Sequence, residues 1–170
     1  MKERLELVQA DIITIKADAW VTAANQQLMG GGGIDGVIHR IAGPELAHTC
    51  KLLRGCPTGE AKITQGFNAP VQYIIHAVGP VWFGGSGNEA LLLASAYRHA
   101  MQLAKAHNID TIVFPNISTG VYGFPKILAS RIAVKTIVGI LAEEEFPKKV
   151  ILACYDAENY RLYRELLFDS

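Results

Sequence analysis

The sequence of 170 residues lacks the features of a secreted or membrane-spanning protein. No window reaches the roughly 18 apolar residues that a transmembrane helix requires, and the first residues, MKERLELVQAD, lack the apolar run of a signal peptide. Cysteine is scarce, and the odd set of Cys50, Cys56 and Cys154 is typical of free thiols in a reducing compartment. These absences predict a soluble cytoplasmic protein with no membrane partner.

A net charge is also absent, because sixteen Lys and Arg residues balance sixteen Asp and Glu residues. This balance makes nucleic acid an unlikely partner, although a local basic patch would not show in a total. Cys50 and Cys56 are separated by five residues, which is not the spacing of a zinc knuckle. With His39 and His48 nearby, a metal site is the alternative to ordinary packed or surface residues, and we expect no metal.

The arrangement of apolar residues predicts one α/β domain over residues 1–170. Apolar residues at helical spacing predict helices after several of the strands, and a short helix from Pro44. From residue 72 onward strands and helices alternate, which implies parallel strands with helices on both faces of the sheet. The N-terminal part adds strands without intervening helices, so we predict a mixed sheet in three layers, helix–sheet–helix. The predicted strands are 5–9, 19–24, 61–67, 72–78, 111–115 and 149–155.

Two glycine-rich segments follow predicted strands, Gly30–Gly36 after 19–24 and Ser118–Gly123 after 111–115. Ligands of such sheets bind beyond the carboxyl ends of the strands, and each segment can turn backbone N–H groups toward an anion. Neither 25–36 nor 116–125 contains Lys or Arg, so a bound diphosphate would be held by amides and helix dipoles. One glycine-rich turn is weak evidence, because chains must also turn for purely structural reasons.

Two nucleotide-binding motifs can be tested directly. Gly31, Gly33 and Gly36 satisfy G-x-G-x-x-G, but the dinucleotide fold also needs an acidic residue about 20 positions later, and KLLRGC at 51–56 has none. The phosphate loop of nucleoside triphosphatases needs a Gly-Lys pair, which the chain does not contain. The sequence therefore argues against a dehydrogenase and excludes that triphosphatase motif.

Five segments of the chain form a specific combination. They are VTAANQQLMGGGGIDGVIHRIAG (21–43), CPTGEAKITQGF (56–67), HAVGPVW (76–82), FPNISTGVYGFP (114–125) and CYDAENYRLYRELL (154–167). Together they resemble a macro domain of the MacroD type, in the order of that family and over essentially the whole chain. The resemblance implies a mixed sheet of about six strands and a ligand that is ADP-ribose, free or attached. It implies hydrolysis of O-acetyl-ADP-ribose or release of mono-ADP-ribose from acidic side chains, with ADP-ribosylated proteins as partners and no metal or redox cofactor.

The resemblance also implies site residues. Asp35 would be the catalytic carboxylate, and Asn25 would hold the distal ribose beside it. Asp11 and Ile12 would contact the adenine, with Tyr155 packed nearby. The backbone along the diphosphate and distal ribose would come from Gly32, Gly33 and Ile34 on one side, and from Ser118, Thr119, Gly120, Val121 and Tyr122 on the other.

The residue types suit this chemistry, and each has a structural alternative. Asp35 begins a predicted helix, whose dipole favours the ionised form that could activate water, or it is only a helix-terminal charge. Asp11 could merely cap a turn, and Tyr122 and Tyr155 could be core aromatics. His39 could tune Asp35 or be structural. We expect His76, in an apolar strand, to be buried and hydrogen-bonded.

Three positions depart from the family pattern. Thr22 stands where Asn is frequent, and we expect it to alter the support of the loop that carries Asn25, affecting rate more than binding. Ala10 replaces a frequent Gly, and Asn116 replaces a small residue. A non-catalytic reader of ADP-ribose is the alternative function. A module that binds RNA or poly-ADP-ribose is a further one, which the neutral net charge weakens.

Overall fold

The computed structural model describes residues 2–168, which form six strands and five α-helices. Every predicted strand and helix is present, with strand ends up to two residues shorter than predicted. The strands are β1 (Leu5–Gln9), β2 (Ala19–Ala23), β3 (Ala61–Gln65), β4 (Tyr73–Ala77), β5 (Thr111–Phe114) and β6 (Lys149–Cys154). The helices are α1 (Gly33–Ala42), α2 (Pro44–Leu53), α3 (Glu89–Ala106), α4 (Lys126–Glu143) and α5 (Ala157–Phe168).

The strands form one mixed sheet in the order β1-β6-β5-β2-β4-β3. All neighbouring strands are parallel except β3 and β4, which pair antiparallel with Ala61 opposite Ala77. Only a short connection joins β3 to β4, and such a connection permits a hairpin but not a parallel crossover. The predicted mixed sheet is therefore confirmed.

Helices cover both faces of the sheet. Alternate strand residues face opposite layers, as the two-residue period of a strand requires. Trp20 and Val113 share a buried apolar cluster with α1 and α2, whereas Val21 and Ile112 share another with α3, α4 and α5. The predicted three-layer arrangement is thus confirmed.

The centre of the sheet creates a crevice at its carboxyl edge. β2 and β5 are adjacent and parallel, but β2 leads into α1 on one face and β5 leads into α4 on the other. The two connections therefore diverge and leave an opening between them, the place where ligands bind in open α/β sheets.

Among the helices within residues 2–168, none is long and apolar enough to cross a membrane.

Candidate functional site

Both glycine-rich loops line one groove above β2 and β5. The first loop (residues 24–32) connects β2 to α1, and the second loop (residues 115–125) connects β5 to α4. We call the cavity between them, of about 350 Å³, the central groove. Within the part of the chain that the structure describes, no Lys or Arg lines it. Its lining is Ala23, Ala24, Asn25, Gly30, Gly32, Gly33, Ile34, Asp35, Gly79, Asn116, Ile117, Ser118, Gly120, Val121 and Tyr122.

The start of α1 lines this groove. The first turn of an α-helix leaves its N–H groups without intrahelical partners. The N-cap of α1 is Gly32, which offers no side chain to satisfy them. Gly33 and Ile34, the first two residues of α1, line the groove. Unsatisfied N–H groups and the positive end of the helix dipole together favour an anion at this position.

A close backbone approach holds the second loop in place. Gly79 follows β4, and a Cβ atom at this position would collide with the side chains of Ser118 and Ile117. Ser118 itself has a φ of 68°, which is uncommon for a residue other than glycine. Its hydroxyl is buried without a hydrogen-bond partner. The second loop is therefore packed against residue 79 at the expense of local strain.

The side chain of Asn25 ties the first loop together. Its Nδ2 donates to the carbonyl of Gly30 at 3.0 Å, and its Oδ1 accepts from the backbone N–H of Leu28 at 3.0 Å. An amide has two N–H groups and two lone pairs on its oxygen, so a second donor and acceptor stay available. Asn25 thus shapes the glycine run and also lines the central groove.

Asp35 lies at the floor of the groove as a buried carboxylate that is 5% exposed. The hydroxyl of Thr22 donates to its Oδ1 at 2.8 Å. Burial raises the pKa of Asp35, while the hydrogen bond from Thr22 and the nearby His39 oppose that rise. The carboxylate is therefore a stronger base than an exposed aspartate, provided that it is ionised.

The hydroxyl of Thr22 contacts Asp35 rather than the loop that carries Asn25. The expectation that Thr22 alters the support of that loop, and affects rate more than binding, stays a prediction. Thr22 lies two residues after Trp20 in β2, and Trp20 faces the layer of α1. Side chains two residues apart in a strand share a face, so Thr22 also points toward α1.

A cluster of half-buried and buried titratable side chains lies next to Asp35. His39 follows one helical turn later, and its Nε2 is 3.7 Å from Asp35 Oδ1 and has no hydrogen-bond partner. Further inside, Nε2 of His76 is 2.9 Å from the Thr64 hydroxyl and 3.9 Å from the Cys50 sulfur. Burial lowers the pKa of His76 to about 3, so it is neutral near pH 7. The prediction of a buried, hydrogen-bonded His76 is confirmed.

This cluster differs from the metal-binding alternative raised by the sequence. Ligand atoms of His39, Cys50 and His76 lie within 4.8 Å of one another. His48 and Cys56, the other two residues of that alternative, do not belong to the group found among residues 2–168. Cys50, Cys56 and Cys154 are all free and buried, which agrees with the expectation of free thiols.

A second cavity of about 650 Å³, which we call the outer cavity, continues the groove beyond Gly33, Ile34, Asn116 and Gly120. It contains the rest of the predicted site. Those residues are Asp11, Ile12, Thr119 and Tyr155.

Asp11 shows that a capping role and a place in the site coexist. Its Oδ1 accepts from the backbone N–H of Ile13 at 3.3 Å, which caps the short 3₁₀ turn Ile12–Thr14. The residue is half-buried and lines the outer cavity. Tyr155 is 78% exposed, so it is not the core aromatic of the alternative interpretation.

Two cations of the outer cavity were missed from the sequence. Arg40 belongs to α1 and Lys126 begins α4, and both line this cavity. Nζ of Lys126 also lies 3.8 Å from Asp156 and 3.6 Å from Glu158. Both residues lie outside the segments 25–36 and 116–125, in which Lys and Arg are absent. The position of Arg40 in the helix was the available signal, because Arg40 lies one turn after Val37 and two turns after Gly33, on the same face of α1.

A third cavity of about 400 Å³, which we call the distal cavity, adjoins the other end of the groove. It shares Asn25, Gly79 and Tyr122 with the groove and has no lining residue in common with the outer cavity. The three cavities therefore form a series along the carboxyl edge of the sheet. The remaining lining residues of the distal cavity are Gln26, Gln27, Thr58, Pro80, Val81, Phe83, Gly87, Glu89 and Leu92.

A larger cavity, of about 690 Å³, lies elsewhere, between α3 and α4. It contains no residue predicted for the site, and helix side chains such as Arg98, Lys105, Lys135 and Glu143 line it. Lys105 and Glu144 form a 2.8 Å ion pair there. Nothing about this cavity resembles the backbone-lined groove at the sheet edge.

Comparison with known proteins assigns the chain to a family. A model of the Macro domain matches residues 21–133. A macro domain-containing protein of Methanosarcina mazei is 50% identical over 165 residues, 97% of this chain and 88% of that protein. An Escherichia fergusonii protein named O-acetyl-ADP-ribose deacetylase is 49% identical over 171 residues, 98% of this chain and 97% of that protein. The chain belongs to the macro domain family.

A solved structure agrees with this assignment. The Oceanobacillus iheyensis macrodomain with ADP superposes with a TM-score of 0.91 at 42% identity, covering 96% of this chain and 89% of that one. Solved variants of that macrodomain replace an asparagine, a glycine seven residues later and an aspartate three residues after the glycine. Asn25, Gly32 and Asp35 have the same spacing.

Proposed function

We propose that this protein hydrolyses esters of ADP-ribose. It deacetylates O-acetyl-ADP-ribose, removes mono-ADP-ribose from acidic side chains of proteins, or does both. One observation carries the proposal: a buried carboxylate, Asp35, is held at 2.8 Å by Thr22 below a groove that two backbone loops build, with no cation among its lining residues within 2–168. The name of the Escherichia fergusonii relative and the ADP in the Oceanobacillus iheyensis structure support it.

The series of cavities suggests how ADP-ribose would lie. The diphosphate would accept hydrogen bonds from amides at the start of α1 and from the second loop, where the helix dipole also favours it. The adenine would occupy the outer cavity, with Asp11 accepting from its amino group and Ile12 and Tyr155 beside it. The distal ribose would then reach Asn25 and Tyr122, close to Asp35.

In this arrangement, Asp35 would position a water molecule and accept its proton as the water attacks the ester carbonyl. Its burial raises its pKa and so makes the ionised form a better proton acceptor. Backbone N–H groups of the loops would stabilise the charge that develops on the carbonyl oxygen. The bond between the carbonyl carbon and the ribose oxygen then breaks, the ribose oxygen takes up the proton, and the carboxylic acid is released. Asn25 would hold a ribose hydroxyl throughout.

The test pairs binding with turnover. Calorimetry with ADP-ribose, and assays with O-acetyl-ADP-ribose and with a protein mono-ADP-ribosylated on Glu, are run on wild type and Asp35→Ala. We expect wild type to release product and Asp35→Ala to lose at least about 100-fold in rate, with ADP-ribose binding retained. Glu45→Ala is the matched control, because Glu45 is an exposed acid in the first turn of α2.

Two outcomes would change the proposal. Equal rates from wild type and Asp35→Ala would remove this carboxylate from catalysis. Binding of ADP-ribose without turnover of either substrate would instead favour the non-catalytic reader, which needs the same loops but no base.

A further inference from the structure

Three possible metal ligands meet at the junction of α1, α2 and β4. His39 comes from α1, Cys50 from α2 and His76 from β4. His76 lies two residues after Ile74, which packs in the apolar cluster of α1 and α2, so the same strand face carries both side chains toward those helices. One ligand atom from each of the three residues lies within 4.8 Å of the other two. The topology thus assembles two imidazoles and a thiol from distant parts of the chain.

Both histidines leave a buried ring nitrogen without a hydrogen bond. These atoms are Nε2 of His39 and Nδ1 of His76, two of the four such side-chain atoms among residues 2–168. Buried polar groups in native proteins are almost always paired, so an unpaired one requires an explanation such as an ion or a water molecule. The approach of Asp35 to 3.7 Å would account for His39 as an ion pair. It would not account for His76, which is 0% exposed.

Both rings are held in place by their neighbours. The hydroxyl of Thr64 lies 2.9 Å from Nε2 of His76, the kind of partner that fixes the orientation of a metal-binding histidine. A Cβ atom at Gly30 would lie 3.3 Å from Cγ of His39, so the ring of His39 is packed against the first loop. The two rings meet edge to face, with 6.3 Å between centroids. Ligands that are already ordered lose little entropy when a cation binds.

The separations of the ligand atoms are close to those of a zinc site. Zn–S bonds of about 2.3 Å and Zn–N bonds of about 2.0–2.1 Å place the ligand atoms of a tetrahedral site roughly 3.3–3.6 Å apart. The sulfur of Cys50 is 3.9 Å from Nε2 of His76, and the whole set lies within 4.8 Å. Movements of roughly 1 Å or less in each side chain would therefore complete the coordination geometry.

The charges beside the cluster favour a divalent cation. Imidazole and thiolate are ligands of both zinc and copper, but Asp35 next to His39 adds a carboxylate, which zinc also binds. The thiol of Cys50 gives up its proton to solvent as the Zn–S bond forms. The thiolate and the carboxylate then balance the two charges of Zn²⁺. Monovalent copper would leave a buried negative charge without a partner, which is costly.

We propose that His39, Cys50 and His76 form a binding site for one Zn²⁺ ion, with Asp35 as the fourth ligand. The ion would join α1, α2 and β4 beside the central groove. Asp35 bound to zinc cannot accept a proton from water, so the zinc-bound form would be inactive in hydrolysis. This last consequence rests on the proposed function, whereas the site itself does not.

A spectroscopic test uses Co²⁺ as the probe on the full chain without an affinity tag, after a chelator has removed any metal. We expect wild type to take up one Co²⁺ ion, with the visible absorption of a four-coordinate ion and the near-ultraviolet band of a cobalt–thiolate bond. Cys50→Ala should lose the thiolate band. Cys154→Ala is the matched control, because Cys154 is a buried free thiol outside the cluster, and it should keep the band. A wild type without the band, or a Cys50→Ala variant that keeps it, would overturn the site.

Zinc affinity is then measured by competition with a chromophoric chelator. We expect it to fall at least about 100-fold in Cys50→Ala and in His39→Gln, and about tenfold in Asp35→Asn. Bound zinc should also raise the melting temperature of wild type, and His39→Gln should lose this rise. His48→Gln is the matched control, because His48 is an exposed histidine of α2 outside the cluster, and it should keep the rise. Melting curves without zinc show whether each variant is folded. Equal stabilisation of His39→Gln and wild type would refute the site.

Turnover separates this inference from the hydrolase proposal. The hydrolysis of O-acetyl-ADP-ribose by metal-free wild type should slow as ZnCl₂ is added and recover with a chelator, whereas Cys50→Ala should show the same rate with and without zinc. A protein that binds zinc but hydrolyses neither ester supports the site and refutes the hydrolase. Hydrolysis that continues unchanged with zinc bound would remove Asp35 from the ligand set.

Discussion

The outer cavity and the floor of the central groove differ in how their polar groups are held. In the outer cavity, Arg40 and Tyr155 are exposed and Lys126 is half-buried, and the ion pairs of Lys126 are 3.6 to 3.8 Å long. At the floor, Thr22 and Asp35 are buried and joined at 2.8 Å. The cations of the outer cavity are therefore accessible to water, whereas the polar pair at the floor lies in the packed interior.

This difference indicates how the two regions would respond to substitution. Exposed charges are screened by water, and each contributes only about 0–1 kcal/mol. A buried carboxylate has lost its hydration, so its few remaining contacts control its pKa and its free energy. We therefore expect changes in the outer cavity to alter affinity modestly, and changes at the floor to alter rate and stability.

The largest effect is expected from Asp35→Asn. Asparagine cannot accept the proton of a water molecule, so we expect at least about a 100-fold loss in the hydrolysis rate. We also expect the variant to melt a few degrees higher at pH 7, because it removes a buried carboxylate whose pKa burial has raised.

The sign of the stability effect depends on pH. A raised pKa in the folded state means that ionisation of Asp35 destabilises the fold as pH rises through that pKa. The difference in melting temperature between wild type and Asp35→Asn should thus shrink as the pH is lowered. If Asp35→Asn were less stable than wild type at neutral pH, the fold would be shown to benefit from this charge.

The next effect concerns the close approach between Gly79 and the second loop. Gly79→Ala places a methyl group against Ser118 and Ile117, which must displace that loop. We expect ADP-ribose affinity to fall about tenfold or more and the fold to lose about 1–3 kcal/mol, measured by calorimetry and urea unfolding.

Gly139→Ala is the matched control, because Gly139 is exposed within α4 and a Cβ there meets nothing within 4 Å. It should leave binding unchanged and stabilise the helix by up to about 1 kcal/mol. Equal binding by the two alanine variants would mean that the position of the second loop does not limit recognition.

A smaller effect is expected from Thr22→Val, which removes the hydrogen bond to Asp35 while keeping the side-chain volume. That bond lowers the pKa of Asp35, so its loss should move the acid limb of the rate profile to higher pH. We expect kcat at neutral pH to fall about tenfold, with ADP-ribose affinity little changed. Thr22→Ser should restore the profile, and a valine variant with the wild-type profile would contradict this role.

The smallest effect is expected in the outer cavity. Tyr155→Ala removes an exposed ring, so the melting temperature should not change. The Kd for ADP-ribose should rise a few-fold, because one aromatic contact is worth about 1 kcal/mol, while kcat stays as in wild type. A large loss of kcat would contradict the distinction between the two regions.

The local elements of this protein could be predicted from its sequence. Apolar residues at strand and helix spacing located all six strands and five helices within residues 2–168. The glycines of the segments 25–36 and 116–125, and the absence of Lys and Arg within each segment, indicated a groove built from backbone. These features depend on neighbours in the chain, so a sequence pattern records them directly.

The contacts that shape the site could not be predicted in this way. Thr22 and Asp35 are 13 residues apart, and Gly79 and Ser118 are 39 apart. Arg40 was missed although it lies in α1, the helix that directly follows the first loop. Whether such residues meet depends on the order of the strands and on the face to which each side chain points.

Spacing and backbone freedom are local properties, so the elements, the family resemblance and the two glycine-rich turns follow from the order of residues alone. Packing adds what that order does not show: Thr22 holds the carboxylate of Asp35, a Cβ atom at residue 79 would collide with the second loop, and the carboxylate of Glu89 accepts a hydrogen bond from the backbone of Phe83. Burial, pKa shifts and close contacts arise between distant parts of the chain, once packing has removed water from between them.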